Sequence, residues 1–273
     1  MEKFVSIIYV YFNTPIEIKQ SINSVLKTSG IRFEIIIVNN NSPKPLPKNL
    51  KKSVKIITNL KNLGYGKAVN QGVRIAKGEI ILLANPDTIF LKDSISLMFK
   101  KITIDKKIGV IGPQLLSKEG KILHSIASMP NLPDVLFAQS FLNKLWPNNY
   151  YSRKYWAIGI DKNKEQESDT VGGAVMLMRK SIFKKIGGFD ERFFLYFEEA
   201  DLCKRIKLAG YKIIYLPNAK VIHFVGRSTK NKNFIKQNFE KSRFLFIEKY
   251  YGFLPALMTE AFLRGPLIVA RKK

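Results

Sequence analysis

The chain has 273 residues, 46% of them hydrophobic, with 46 Lys and Arg against 21 Asp and Glu, one cysteine and two histidines. That length holds an ample core in one large domain or two small ones, the lone Cys203 excludes an internal disulfide and suits a reducing compartment, and one Cys with two His excludes a zinc cluster. The net charge of +25 predicts attraction to polyanions, meaning nucleic acid, anionic lipid or phosphorylated substrates.

Val5–Phe12 is apolar but short and follows Glu2, so it is expected to be a strand and not a signal peptide. Thr14-Pro15-Ile16-Glu17 places an N-cap, a proline at the first helical position and a capping-box Glu. The helix they open is predicted to run to about Thr28 and stop at Gly30. Three further runs, Phe33–Val38, Val54–Thr58 and Glu79–Ala84, are rich in Ile and Val without clean alternation, as in strands buried on both faces. The proline- and lysine-rich segment 42–53 reads as an exposed loop. A second helix is predicted from near Gly66 to Lys77, ending at Gly78. Strand and helix alternating at this spacing predict a parallel α/β sheet with right-handed crossovers.

Residues 127–168, with Pro130, Pro133, Pro147 and many aromatics, read as a variable insertion. Thr170–Met178 is then expected as a strand, Glu198–Leu208 as a helix stopped by Gly210, and Tyr211–Leu216 and Lys220–Val225 as two strands. After Arg227, Ile235, Phe239, Ser242, Phe246 and Tyr250 fall on one helical face. No run reaches the ~18 apolar residues of a membrane span; Phe253–Val269 comes nearest and is broken by Glu260, Arg264 and Pro266. The expected location is cytoplasmic, with peripheral attachment to the inner face of the cell membrane as an extension. For that attachment the tail offers Phe253, Leu254, Leu257, Met258, Phe262 and Leu263 beside Arg264, Arg271, Lys272 and Lys273. A helix packing on the core is the equal alternative.

The densest chemistry lies between Asp190 and Asp201, where five carboxylates (Asp190, Glu191, Glu198, Glu199, Asp201) surround an aromatic run. Mutual repulsion and desolvation both raise carboxylate pKa values, which is how a general base near neutral pH is made. Glu198 and Glu199 are therefore the candidate catalytic pair. Asp201, four residues before Arg205, reads equally well as a helix-start charge pair. Asp87, in Asn85-Pro86-Asp87, follows a buried strand, where open α/β sheets bind ligands; the tetrapeptide through Thr88 is also a good turn. A divalent cation on a diphosphate takes one or two protein ligands, and His223 at another strand end is a second candidate, or else an ordinary core histidine. Asn62 to Asn70 passes through Gly64 and Gly66 into a helix, a turn able to present N–H groups to an anion, with Lys67 adding charge. It is neither a dinucleotide fingerprint nor a P-loop. Asn39-Asn40-Asn41 ends a strand and suits either a turn or a nucleobase edge.

In order, these pieces resemble the family-2 glycosyltransferases of GT-A fold, in the rhamnosyltransferase-like branch that builds bacterial cell-surface polysaccharides. The matching residues are Val5-Ser6-Ile7-Ile8 with Asn13, Val38-Asn39-Asn40-Asn41-Ser42, Asn62-Leu63-Gly64-Tyr65 with Asn70 and Gly72, Gly78 through Asn85-Pro86-Asp87, and Val110-Ile111-Gly112-Pro113. A last block runs from Gly172-Gly173-Ala174 through Gly187-Gly188-Phe189-Asp190-Glu191 and Glu198-Glu199-Ala200-Asp201-Leu202 to Gly210-Tyr211 and His223.

The resemblance implies a Rossmann-like mixed, mainly parallel central sheet flanked by helices over residues 1–230, with a C-terminal helical tail, 231–273. Within it, 1–116 would be the nucleotide-sugar half and 117–230 the acceptor half. It implies an inverting transfer from a nucleotide diphosphate sugar, with dTDP-rhamnose the first guess and UDP-sugars open, to a hydroxyl of a saccharide or lipid-linked saccharide. By resemblance Tyr11, Asn13, Asn39, Asn41, Gly64, Tyr65, Lys67, Asn70 and Asn85 would hold the donor. Gly172, Gly173 and Asp201 would form the acceptor pocket, Asp87 and His223 would hold Mg2+ or Mn2+, and Glu199, or else Glu198, would be the base. The family commonly has Asp where this chain has Asn39 and Glu199. Competing readings are a nucleotidyltransferase, which lacks its glycine-rich N-terminal loop here, and a donor-binding relic without activity. A nucleic-acid partner is not expected, because no helix-turn-helix, zinc-finger, RRM or KH signature occurs.

Overall fold

The computed structural model describes residues 4–27, 31–48, 50, 54–226 and 231–270, with the side chains of the last helix described to Arg264. In chain order the first half comprises β1 (Phe4–Tyr11), α1 (Pro15–Leu26), β2 (Arg32–Asn39), β3 (Val54–Thr58), α2 (Tyr65–Ile75), β4 (Ile80–Ala84), β5 (Thr88–Phe90), α3 (Ser94–Ile104) and β6 (Ile108–Leu116). There follow β7 (Ile126–Ala127), α4 (Leu132–Gln139), α5 (Leu142–Leu145), α6 (Tyr150–Tyr155), β8 (Gln166–Glu167), β9 (Thr170–Val171), β10 (Val175–Arg179) and α7 (Lys180–Lys185). The chain ends with α8 (Glu198–Leu208), β11 (Lys212–His223), α9 (Lys232–Tyr251) and α10 (Phe253–Ala270).

The main sheet has the order β3-β2-β1-β4-β10-β6-β11-β5, with β8 also on β11; β7 and β9 pair separately. Its first four strands are parallel, as are β6 and β11, whereas β10 runs antiparallel between β4 and β6. The sheet is thus mixed and mainly parallel. Alternate residues of β1 serve two cores. Val5, Ile7 and Tyr9 pack with Ile18, Ile22 and Val25 of α1 and Met98 and Ile102 of α3, while Ile8 and Val10 pack with Val69 and Val73 of α2 and Leu202 and Ile206 of α8. Because both faces are covered, the strand shows no polar alternation.

Several boundaries differ from expectation. Thr14 precedes α1, but its side chain makes no capping bond and its Oγ1 is buried without a partner, so Pro15 at the first turn is the working signal. The expected stop at Gly30 lies outside the described residues. α2 ends at Ile75: Ala76 N closes the last turn on Val73 O (3.3 Å), and the following N–H groups are taken by side chains, Lys77 N by Glu34 Oε1 (2.6 Å) and Gly78 N by Ser6 Oγ (2.8 Å). The expected strand Thr170–Met178 breaks at Gly172-Gly173 into β9 and β10, which belong to different sheets. The two strands expected at 211–225 are one, β11, with an irregularity around Pro217, a residue that cannot donate to the ladder.

The insertion 127–168 holds three short helices, two capped by asparagines: Asn131 Oδ1 accepts from Asp134 N and Asn149 Oδ1 from Ser152 N. These helices pack on the tail, where Val135, Ala138 and Tyr155 meet Ile247 and Ala256. Inside this layer Arg243 donates twice to Glu260, at 2.7 Å each, and once to Gln139. Among the described residues no helix is long and apolar enough to cross a membrane.

Candidate active site

The carboxyl ends of β1, β2 and β4 converge, and the turns leaving them build one wall of a cleft. Asn85 N donates to Ala174 O (2.8 Å), which ties the end of β4 to β10. Asp87 is buried just before β5, and β5 runs antiparallel to the end of β11 with Thr88 opposite His223. Phe224 N donates to the Asp87 carbonyl (2.9 Å), and His223 Nε2 lies 3.3 Å from Asp87 Oδ1. Two residues 136 positions apart are brought together by this strand pair.

The Gly64 turn is organised by Asn40, the middle residue of Asn39-Asn40-Asn41, for which a turn role was one of two expectations. Asn40 is buried, and its amide donates to Asn62 Oδ1 (2.8 Å) and Gly64 O (3.1 Å). Its oxygen accepts from Leu63 N and Asn59 Nδ2. Asn59 in turn exchanges reciprocal bonds with Gln71. The clustering of Asn at a strand end and of Asn59 and Asn62 before the glycine was the available signal. Gly64 has φ +84, and a Cβ there would lie 2.6 Å from Phe194 O; with Tyr65 N donating to that same carbonyl (2.9 Å), only glycine fits. A cavity bounded by Val10, Asn40, Gly64, Tyr65, Asn85 and Phe194 results.

The other expected donor-side residues divide. Asn13 (φ +58) receives no bond on its buried Oδ1, while its N donates to Ser42 Oγ. Asn39 Oδ1 accepts from Ser42 N, and Asn41 adopts φ +57 in the same turn. The Tyr11 ring is buried and its hydroxyl donates to Lys44 O and Pro45 O, so it secures the neighbouring loop. Two further residues expected on the donor side have partners elsewhere. Asn70 is committed on both ends of its amide to the Phe189 backbone, and Lys67 forms an exposed pair with Glu191 (3.0 Å), so neither borders this cavity.

The opposite wall is the start of α8. Tyr196 (φ +71) and Phe197 (φ +64) are consecutive non-glycine residues in left-handed conformation, each costing on the order of 1–2 kcal/mol. They are held by α9: Phe239 packs on both rings and Phe246 on Phe197. The twist delivers Glu198 and Glu199 into the first turn of α8 in different settings. Glu198 is buried, with Oε2 unpartnered; burial, then the neighbouring Glu199 charge, push its carboxyl well above the usual range. Glu199 is half-buried and borders a second cavity with His124, Tyr155, Trp156 and Thr170. Its carboxyl is also raised, by burial, with the N–H groups of Glu199 and Ala200 pulling partly back.

Tyr65, which lines the first cavity, reaches the Gly173 strip beside Glu199. Its hydroxyl donates to Gly173 O (3.3 Å), and a Cβ on Gly173 would stand 3.4 Å from Glu199 Cβ. Burial raises the Tyr65 phenol, and the charges of Glu198, Glu199 and Asp87 push it further. Gly172 lies at the edge of this strip, its N donating to Ser125 O. Asp201 departs from the expected acceptor-pocket position. It is fully buried among Arg205 (2.7 Å), Lys249 (2.5 Å) and Tyr250 (2.7 Å), and fastens α8 to α9 in place of lining the pocket. His124 and Trp156 were not anticipated; Trp156 lies in the insertion and His124 just before it, where no periodicity marks them. His124 Nε2 lies 2.8 Å from Trp156 O, and burial lowers its pKa.

This mixed sheet, with its cleft at the strand carboxyl ends, is the GT-A fold. Superposition gives a TM-score of 0.60 with GalNAc-T7, solved with UDP, GalNAc and Mn2+, at 16% identity over 80% of this chain and 43% of that one. The mannosyltransferase PcManGT of Pyrobaculum calidifontis, solved with GDP-Man and Mn2+, gives 0.60 at 17% identity, over 95% and 69% of the two chains. Residues 6–187 match the model of Glycosyl transferase family 2, and residues 154–227 that described as the N-terminal domain of galactosyltransferase. The chain belongs to glycosyl transferase family 2. N-acetylglucosaminyl-diphospho-decaprenol L-rhamnosyltransferase of Mycobacterium tuberculosis (strain ATCC 25618 / H37Rv) is 30% identical over 65% of this chain and 61% of that protein. Rhamnosyltransferase WbbL of Escherichia coli (strain K12) is 32% identical over 66% of each. The chain thus spans about three fifths to two thirds of the length of these relatives.

Proposed function

We propose that this protein is an inverting glycosyltransferase, with Glu199 as its general base and a nucleotide diphosphate sugar as donor. The observation that carries the reading is the different placement of the two glutamates: Glu199 borders a cavity, and Glu198 is sealed behind it. Glu199 takes the proton from an acceptor hydroxyl, and the oxygen attacks the anomeric carbon. The bond from that carbon to the diphosphate breaks, and the nucleoside diphosphate leaves with the electron pair. A raised carboxyl pKa suits this work, because it strengthens the base. Asn13, Asn39 and Asn85, at the ends of β1, β2 and β4, are the candidate donor contacts.

Asp87 and His223 fit a divalent cation. Their ligand atoms are 3.3 Å apart, close to the ~3 Å between adjacent ligands of an ion bound at about 2.1 Å. Among the described residues no third such group joins them, as expected where phosphate and water complete the shell. When bound, Mg2+ or Mn2+ would neutralise charge on the departing diphosphate. Titration of the protein with Mn2+ and a nucleoside diphosphate, read by electron paramagnetic resonance, is expected to show binding that Asp87→Asn weakens about tenfold or more.

The names of the relatives suggest rhamnose as the sugar, with dTDP-rhamnose the first donor to try, and a saccharide on a prenyl diphosphate as acceptor class. Glu199→Gln is expected to lower turnover by roughly 10²–10⁴-fold with donor affinity little changed. Release of nucleoside diphosphate in single-turnover assays measures this. Turnover within a few-fold of the parent would dismiss Glu199 as the base.

A further inference from the structure

The outward face of α10 carries no charge for its first ten residues. Its exposed positions between Phe253 and Phe262 are Phe253, Leu254, Leu257, Met258, Ala261 and Phe262, with Leu254 68% and Met258 70% exposed. Glu260, the acidic residue of this stretch, is turned inward against Arg243. The apolar surface continues onto the insertion, where Phe141 meets Phe262 (ring centroids 5.7 Å) and Leu145 and Trp146 stand 61% and 57% exposed. Tyr150 is exposed on the same segment. Residues 141–153 add Lys144 and Arg153, both exposed, and no acidic residue. A water-facing patch of this extent marks an interaction surface.

We infer that the outer face of α10 and the segment Phe141–Tyr150 form one membrane-docking surface, which lies in the interface of an anionic bilayer without crossing it. Three observations select that occupant. The chain carries +25, which draws it to anionic lipid and opposes the apposition of two copies. The patch mixes aliphatic side chains with Trp and Tyr, whose rings suit the headgroup boundary, and flanks them with cations. The helix is too interrupted to span, so insertion is shallow.

The location also bears on the proposed reaction and in this respect rests on that reading. On its inner face, Ala256 of α10 belongs to the same buried cluster as Tyr155, and Tyr155 borders the Glu199 cavity. The docking surface and the Glu199 cavity thus share one packed layer, which suits a saccharide carried on a lipid diphosphate whose chain stays in the membrane.

Vesicles free of any saccharide test the surface apart from the activity. Flotation of the full chain is expected with phosphatidylcholine vesicles containing phosphatidylglycerol, and little with phosphatidylcholine alone. Leu254→Glu combined with Met258→Glu should weaken flotation by roughly tenfold or more while leaving the melting midpoint unchanged, since both positions are exposed. A blue shift of tryptophan emission on adding anionic vesicles should vanish in Trp146→Phe. Equal flotation of parent and double variant would overturn the proposal. So would light scattering that finds a dimer in the parent and a monomer in the variant, because a second copy would then cover the face.

Discussion

Adjacent glutamates at the start of α8 share a sequence environment but not a physical one. A helix rotates its side chains by about 100° per residue, so one carboxyl of the pair points into packing and the other into a cavity. Glu198 and Glu199 both titrate higher in the folded chain than in the unfolded one, chiefly through burial. Between those values the folded state holds more protons. The contribution of these two groups to stability is therefore greatest below the ordinary Glu value of about 4.3, and is lost as pH rises through the raised folded values. Glu198→Gln removes the charge that is costly to bury. It is expected to raise the melting midpoint by roughly 2–4 °C at about pH 8 and to leave it unchanged near pH 4; thermal melts at the two pH values measure the difference. Turnover should show an acid limb above the usual carboxylate range, set by Glu199. The raised carboxyls were legible from repulsion and aromatic neighbours. Which of the two meets the cavity was not, because it depends on the left-handed pair Tyr196-Phe197, and aromatic residues give no local signal for positive φ.

At the scale of elements, the tail and the catalytic helix are one unit. Phe246 is fully buried against Phe197, and Lys249 reaches both Asp190 (2.8 Å) and Asp201 (2.5 Å). Arg192 first, and Lys249 with it, hold the Asp190 carboxyl far below the usual range. Removing the ring should loosen the support of the strained turn. Phe246→Ala is expected to cost about 3–5 kcal/mol in denaturant unfolding, and to lower turnover in the fraction that stays folded. The Ile- and Val-rich strands and the helices opened by Pro15 and Glu198 were readable, because burial on two faces and the first-turn proline act locally. The break at Gly172-Gly173 was not, since a strand that changes sheets still reads as one apolar run. Nor was the role of Asp201: its pairing with Arg205 follows from spacing, but Lys249 and Tyr250 come from a helix nearly fifty residues away.

Over the whole molecule, positive charge and an apolar tail are surface properties, whereas the candidate chemistry lies at the strand ends inside. Composition determined the scale of the core, the excess of cation and the lack of a disulfide, because these need only counting. Motif order determined the family and named Asp87, His223 and Glu199 as residues to watch. Only the tertiary structure decided that Asp87 meets His223, that Tyr65 bonds to Gly173 beside Glu199, and that Asn70 and Lys67 have partners around Phe189 and Glu191. Such facts depend on strand order and register: β5 must lie against the end of β11, and β10 must run backwards between β4 and β6. Neither pairing leaves a trace in the local pattern of residues, because hydrogen bonds between backbones are blind to side-chain identity.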